Sequence, residues 1–369
     1  MQHFSCTLYP NVQEKYNFVN TNEEVVGKGY FYYNIYLTYV FLQRQKGTIP
    51  RGRIEEPPTY PELQSGNRMG ETAIMFESFN ALKNEPMSRH TTLKLGGPAD
   101  YLVFPRSAEE IRALFAEAGA YNLPVTVIGH GSNLLVLDGG IRGLVISVSK
   151  NMRQIRREGD RLIAQAGAML GSVAAEAAEA GLAGLEFASG IPGTVGGAMT
   201  MNAGAYGGEM AQVVTRVNGI TPDGKPVTLS NEEMQFGYRT SAVGRINFVV
   251  TEVVFTLTPG EPEEIRARMA ELNAQRAEKQ PLDQPSAGST FKRPEGYFAA
   301  ALIDQCGLKG YAVGGAQVSM KHAGFLINNG ESSKDFLELM EKVQQIVEER
   351  VGVKLEPEIR IIGEMEKEA

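Results

Sequence analysis

Between Gly181 and Gly208 the chain places nine glycines in 28 residues. Side chains this small cannot fill a core by themselves, and every glycine ordered in a fold costs conformational entropy. Two uses remain: something large lies against the bare backbone, or a helix and a strand cross closely here. At the centre of the segment Gly190-Ile191-Pro192-Gly193-Thr194-Val195-Gly196-Gly197-Ala198 runs on to Asn202-Ala203-Gly204-Ala205-Tyr206-Gly207. A second glycine turn stands upstream, where the apolar strand Val125–Ile128 enters Gly129-His130-Gly131-Ser132-Asn133. Successive N–H groups in such a turn form a concave anion nest, and Ser132 and Asn133 add side-chain donors. Leu134 occupies the third glycine position of the dinucleotide fingerprint, so that motif is incomplete. An ordinary strand-to-strand turn is the other reading. Together the two loops suit a long ligand carrying a pyrophosphate, without saying which one.

The surrounding pattern predicts an α+β class, with strands and helices in mixed, separate runs. Leu93–Phe104 reads as a turn and a strand. Ser107 and Glu110 form a capping box ahead of a helix with Ile111, Leu114, Phe115 and Ala118 on one face. Leu144–Val148 is a strand, 168–180 a helix, and Val214–Leu229 a hairpin around Pro222-Asp223-Gly224. Ile246–Leu257 is a β-branched strand, and Glu261–Lys279 a helix with Ile265, Met269 and Leu272 on one side. A last unit begins near Pro281, with Phe298–Cys306, a strand at Gly324–Asn328 and a long helix capped by Ser332 or Ser333. That helix buries Phe336, Met340, Val343, Val347 and Val351 and stops at Gly352, ahead of a strand Leu355–Ile362.

Residues 1–74 are composed differently. No alanine precedes Ala73, and eight of the fourteen tyrosines fall within residues 1–60. The apolar run Tyr30–Leu42 is too short for a membrane span, which needs ~20 residues. Gln43-Arg44-Gln45-Lys46 follows it, contrary to a signal peptide. A short buried strand or an irregular segment is expected there. Prolines 50, 57, 58 and 61 then mark a linker or disorder. The functional chain is expected to start at Met75 or Met69, or else the segment is a dispensable arm.

Composition excludes some partners. The net charge of −7 disfavours nucleic acid and anionic membranes, although a local site can oppose the overall sign. Cys6 and Cys306 form no disulfide framework, which fits a reducing cytoplasm. His3, His90, His130 and His322 are scattered, so no metal site is expected.

Three strings in order carry a resemblance: His90-Thr91-Thr92-Leu93-Lys94-Leu95-Gly96-Gly97-Pro98-Ala99-Asp100, then VIGHGSNLLV, then GIPGTVGGAMTMNAGAYG. From residue 75 onward the chain closely resembles the UDP-N-acetylenolpyruvoylglucosamine reductase family. The resemblance implies a two-subdomain FAD-binding fold of the vanillyl-alcohol-oxidase type, with subdomains at 75–146 and 147–280. A substrate-binding α+β domain would follow at 281–369. The implied cofactor is FAD, with NADPH as hydride donor and a UDP-sugar as substrate. The cofactor contacts expected are Gly129, His130, Gly131, Ser132, Asn133, Gly190, Pro192, Gly193, Thr194, Gly196, Gly197, Asn202 and Gly204.

Reducing an enol ether beside a carboxylate needs a hydride source, an acid for the other carbon, and a cation to hold spreading charge. Taken alone, Arg239 in FGYR, Ser289 in GSTFK and Glu358 in LEPE read as structural or solvent-facing. By resemblance they are the catalytic set: Ser289 protonates C2 after hydride reaches C3, and Arg239 and Glu358 stabilise the enol-like intermediate. Lys279, otherwise a solvated helix-end lysine, matches a residue near the substrate phosphates, and Tyr238 stands beside Arg239 as a substrate contact. Only 39 residues separate Arg239 from Lys279, which resembles the shorter subtype without a tyrosine lid. Arg293 stands where other members have Asn, and Cys306 and His322 receive no role. Two other functions stay open: an FAD-dependent oxidase on the same fold, and a flavin- or UDP-sugar-binding regulator without turnover.

Overall fold

The computed structural model describes residues 76–366. The apolar run Tyr30–Leu42 and the rest of the upstream segment lie outside the described residues.

A four-stranded sheet comes first, in the order Leu82–Pro86, Pro98–Val103, Ile141–Ser147, Val125–Ile128. Its first pair is antiparallel and the other two are parallel. Parallel neighbours need a crossover, and helix α1 (Ala108–Ala120) lies on the path from Pro98–Val103 to Val125–Ile128. Ser107 caps α1 by accepting the Glu110 N–H at 3.3 Å, and the four expected apolar residues are all buried. Strand Ile141–Ser147 is buried on both faces apart from Arg142, as a central parallel strand covered on both sides should be.

A five-stranded antiparallel sheet follows, in the order Pro226–Ser230, Val214–Ile220, Val249–Thr256, Arg161–Gln165, Ile155–Glu158. Helices α2 (Leu170–Glu179) and α3 (Val195–Met201) bury their apolar faces in its core, with Val173 and Met199 both inaccessible to water. The short helix α4 (Asn231–Met234) and the long α5 (Pro262–Lys279) complete this layer. The expected strand from Ile246 begins only at Val249, because Val243–Asn247 winds into one wide helical turn.

The third sheet is antiparallel, in the order Ser286–Ser289, Phe325–Asn328, Ala316–Val318, Ala312–Val313. Helices α6 (Ala299–Gln305) and α7 (Ser333–Val351) cover it, and Leu93, Leu95, Leu135 and Leu137 from the first layer join its core. Gly352 ends α7 with φ 70°, the left-handed position read from the sequence. The long final strand does not form. Only Arg360–Ile362 makes a ladder, parallel to Leu134–Val136. Upstream of it Pro357 has no N–H to extend a ladder. Glu356 and Glu358 are held instead by single bonds, Lys292 N–H to Glu356 O and Glu358 N–H to Thr290 O, both 2.8 Å.

Candidate active site

The two glycine loops meet across a cavity of about 890 Å³. At their contact a Cβ on Gly129 would stand 2.4 Å from Thr194 Oγ1, so glycine alone permits the approach. Gly131 has φ 73°, and a Cβ there would strike the His90 carbonyl at 2.2 Å. The His-Thr-Thr string thus packs under the first loop, and Thr92 N–H donates to Gly131 O. Thr194 caps α3 by accepting the Gly197 N–H at 3.4 Å. Gly193 and Gly197 line the cavity, and a Cβ on either would meet nothing closer than 3.5 Å. Their missing side chains leave room for a ligand.

Of the expected cofactor positions, the whole first loop and Pro192, Gly193, Thr194, Gly197 and Gly204 line this cavity. Three do not, and each has a different task. Gly190 backs onto α5, where a Cβ would lie 2.4 Å from Asn273 Oδ1. Gly196 presses on Ala166, in the turn just after strand Arg161–Gln165, and donates its N–H to that carbonyl at 2.8 Å. Asn202 is buried as the left-handed cap of α3; its Nδ2 donates to Gly237 O and its Oδ1 accepts from Ala211 N–H. Asn202 therefore steadies the turn that carries Arg239.

That turn, Gly237–Thr240, is closed by reciprocal backbone bonds of 3.1 and 3.2 Å. Arg239 sits in it with φ 56°, a conformation an L side chain adopts at some cost. Its Nε donates to Glu358 Oε1 at 2.5 Å, which leaves the outer guanidinium nitrogens free of that pair. Glu358 is nearly buried, and burial pushes its carboxyl above the ordinary range, partly offset by Arg239. Its backbone carbonyl accepts the Asn133 Nδ2 at 3.2 Å, so the first glycine loop also fixes this residue. Ser289 follows Gly288, whose φ of 77° accompanies a register shift in strand Ser286–Ser289.

A second cavity of about 480 Å³ adjoins the first. Arg239, Ser289 and Glu358 line both cavities, so the three residues picked from distant strings converge on the wall between them. Lys279 lies on the large cavity and Tyr238 on the small one, where the Tyr238 hydroxyl accepts the Arg293 N–H at 3.1 Å. Arg293 stacks on the exposed Phe298 ring at 4.3 Å. His322, given no role from sequence, also lines both cavities. Its Nδ1 accepts the Gly324 N–H at 3.1 Å, and burial pushes its pKa down, so the neutral ring carries its proton on Nε2. The local signal for it was slight: one histidine ahead of an apolar strand.

Charge around the large cavity opposes that of the chain. Lys94, Arg239, Arg276, Lys279 and Arg360 line it, against Asp283 and Glu358. Fold and site define the class first: an α+β protein with a cationic, glycine-walled cleft, of which residues 99–230 match the family model of an FAD binding domain. A second model, UDP-N-acetylenolpyruvoylglucosamine reductase, C-terminal domain, matches residues 280–362. The chain is 51% identical over 290 residues to the UDP-N-acetylenolpyruvoylglucosamine reductase of Lactiplantibacillus plantarum, covering 78% of this chain and 96% of that one. Its counterpart in Agathobacter rectalis is 52% identical over 298 residues, with 77% and 94% covered. The crystal structure of UDP-N-acetylenolpyruvylglucosamine reductase (MurB) from Thermus caldophilus superposes with a TM-score of 0.66 at 39% identity, over 76% of this chain and 98% of that one. The chain belongs to the UDP-N-acetylenolpyruvoylglucosamine reductase family of FAD-dependent oxidoreductases.

Proposed function

We propose that this chain uses FAD and NADPH to reduce UDP-N-acetyl-3-O-(1-carboxyvinyl)glucosamine to UDP-N-acetylmuramate, a cytoplasmic step of peptidoglycan precursor synthesis. The observation that carries the reading is the wall shared by the two cavities, with Arg239, Ser289 and Glu358 on it. A cofactor in the larger space and the enolpyruvyl end of a substrate in the smaller would meet there. The three sheets support a division into flavin-binding parts at 75–146 and 147–280 and a substrate part at 281–369.

The residues present fit FAD. The open glycine positions 193 and 197 make a cradle that side chains would fill, and the surplus of cations suits a pyrophosphate. When bound, FAD supplies the hydride that no side chain can provide. Arg239 directs its free guanidinium nitrogens at the substrate carboxylate, a planar match. Ser289 gives its hydroxyl proton to the carbon next to that carboxylate. Glu358, with its raised pKa, keeps Arg239 in place and hydrogen-bonds the enol oxygen as charge spreads onto it. The neutral His322 offers Nε2–H to the same two cavities.

The test is an absorbance spectrum of the purified protein. The expected course is a flavin band that bleaches with anaerobic NADPH and returns on adding the enolpyruvyl substrate. Bleaching with an alcohol, followed by recovery only in oxygen, would make it an oxidase. Binding of both ligands without bleaching would make it a regulator.

A further inference from the structure

Helix α5 buries a stripe at Ile265 and Leu272, with Met269 partly covered, and the next position on that stripe is Arg276. Arg276 is only 8% exposed, yet no carboxylate among the described residues lies within ion-pair distance of it. Among the described residues its electrostatic partner is the neutral phenol Tyr206, which interacts with the guanidinium through its hydroxyl and has its ring 5.8 Å from the guanidinium carbon. A guanidinium cannot shed its proton to escape burial. A buried charge without a counter-charge is costly, so a fold that keeps one has a partner outside the chain. Burial pushes the Arg276 pKa down and Tyr206 only partly opposes it.

The surroundings say what the partner is. Arg276 lines the large cavity, as do Pro192 and Gly193 of the second glycine loop, and Lys279 lines it one turn further along α5. Gly190 packs on this part of α5: a Cβ there would lie 2.4 Å from Asn273 Oδ1 and 3.0 Å from Arg276 Nε. A planar donor fork on a glycine-walled cavity, with a second cation three residues on, is matched to a phosphate ester. We infer that Arg276 is an anion anchor, taking a phosphate oxygen of a diphosphate-bearing ligand in the large cavity. The diphosphate belongs either to FAD or to the UDP-sugar, and only these two identities rest on the proposed function.

The experiment compares wild type with Arg276→Met, which keeps the stem and removes the charge, and Arg276→Lys, which keeps the charge. FAD affinity is measured on flavin-stripped protein and UDP affinity on FAD-loaded protein, each at low and high salt. Arg276→Met weakens one of the two roughly tenfold or more and flattens its salt dependence. Arg276→Lys recovers part of the loss. The ligand that weakens identifies the diphosphate. Ligand-free Arg276→Met melts at or above the wild-type midpoint, because an unpaired buried charge has gone. Equal affinities of wild type and Arg276→Met for both ligands overturn the inference. A clearly lower ligand-free midpoint also overturns it, since the arginine would then serve the fold. Turnover does not enter: a wild-type protein that binds FAD and UDP but never reduces the enolpyruvyl substrate sinks the proposed function and leaves this comparison decisive.

Discussion

Arg239 holds an unfavourable backbone conformation, and what it obtains is a 2.5 Å bond to a nearly buried carboxylate 119 residues away. Glu358 shows the opposing forces at one atom pair: burial raises its pKa above the ordinary 4.5, and Arg239 lowers it again without cancelling the rise. A carboxyl raised by folding contributes stability that is full below its unfolded pKa and lost as pH rises through the folded value. Glu358→Gln, which stays neutral, should therefore melt no lower than wild type at pH 8, and any advantage should vanish near pH 4. Melting curves across that range check this, and a large loss at pH 8 would mean the ion pair is net stabilising. Turnover of the same variant should fall. For Ser289→Ala, loss of the proton donor predicts a fall of about 10²–10⁴ in substrate turnover with NADPH bleaching of the flavin intact. Steady-state rates and single-turnover bleaching separate the two. None of these three residues was legible as functional from its own string, since Arg after Tyr, Ser in a turn and Glu before a strand are ordinary. Arg276 left a faint local signal, a cation at the fourth place of an apolar stripe.

At the scale of elements, periodicity and caps carried far. Helix α1 has the apolar face and Ser107 cap that its spacing predicts, and α7 has its Ser332 cap and Gly352 stop. These features are written within a few residues of one another. Their docking is not. The carboxylate of Asp138 accepts the Ser333 N–H at 2.9 Å and 3.0 Å through its two oxygens, while Ser333 Oγ accepts the Asp138 N–H. This pins the start of α7 to the loop after Leu134–Val136, where a negative charge also suits the helix N-terminus. Asp138→Ala should cost about 1–3 kcal/mol of stability, read as a lowered urea midpoint at unchanged slope. The last strand is shorter than its apolar pattern for a related reason. Apolar residues from Leu355 to Ile362 suggest one long strand, but the ladder waits for a partner beyond Pro357 and finds it at Leu134–Val136.

For the whole molecule, 77–78% of this chain accounts for 94–96% of the length of two relatives. The described fold opens at Phe76, whose side chain is fully buried and whose N–H donates to Glu117 Oε1 at 2.7 Å. A chain starting at Met75 should therefore bind FAD and turn over like the full chain, whereas one starting at Asn80 loses the Phe76 anchor and melts at lower temperature. Activity lost on removing residues 1–74 would give that segment a function. The sequence by itself settled what depends on near neighbours: the α+β character, most helices with their caps, the two glycine loops, and through ordered motifs the family. Folding alone decided which glycines face the cavity and which press on protein, that Asn133 holds Glu358, and that Arg276 is buried with no carboxylate partner among the described residues. The physical reason is range. Helix periodicity and turn chemistry act over a few residues, whereas a paired or unpaired charge depends on what another part of the chain, a hundred residues off, brings within 3 Å.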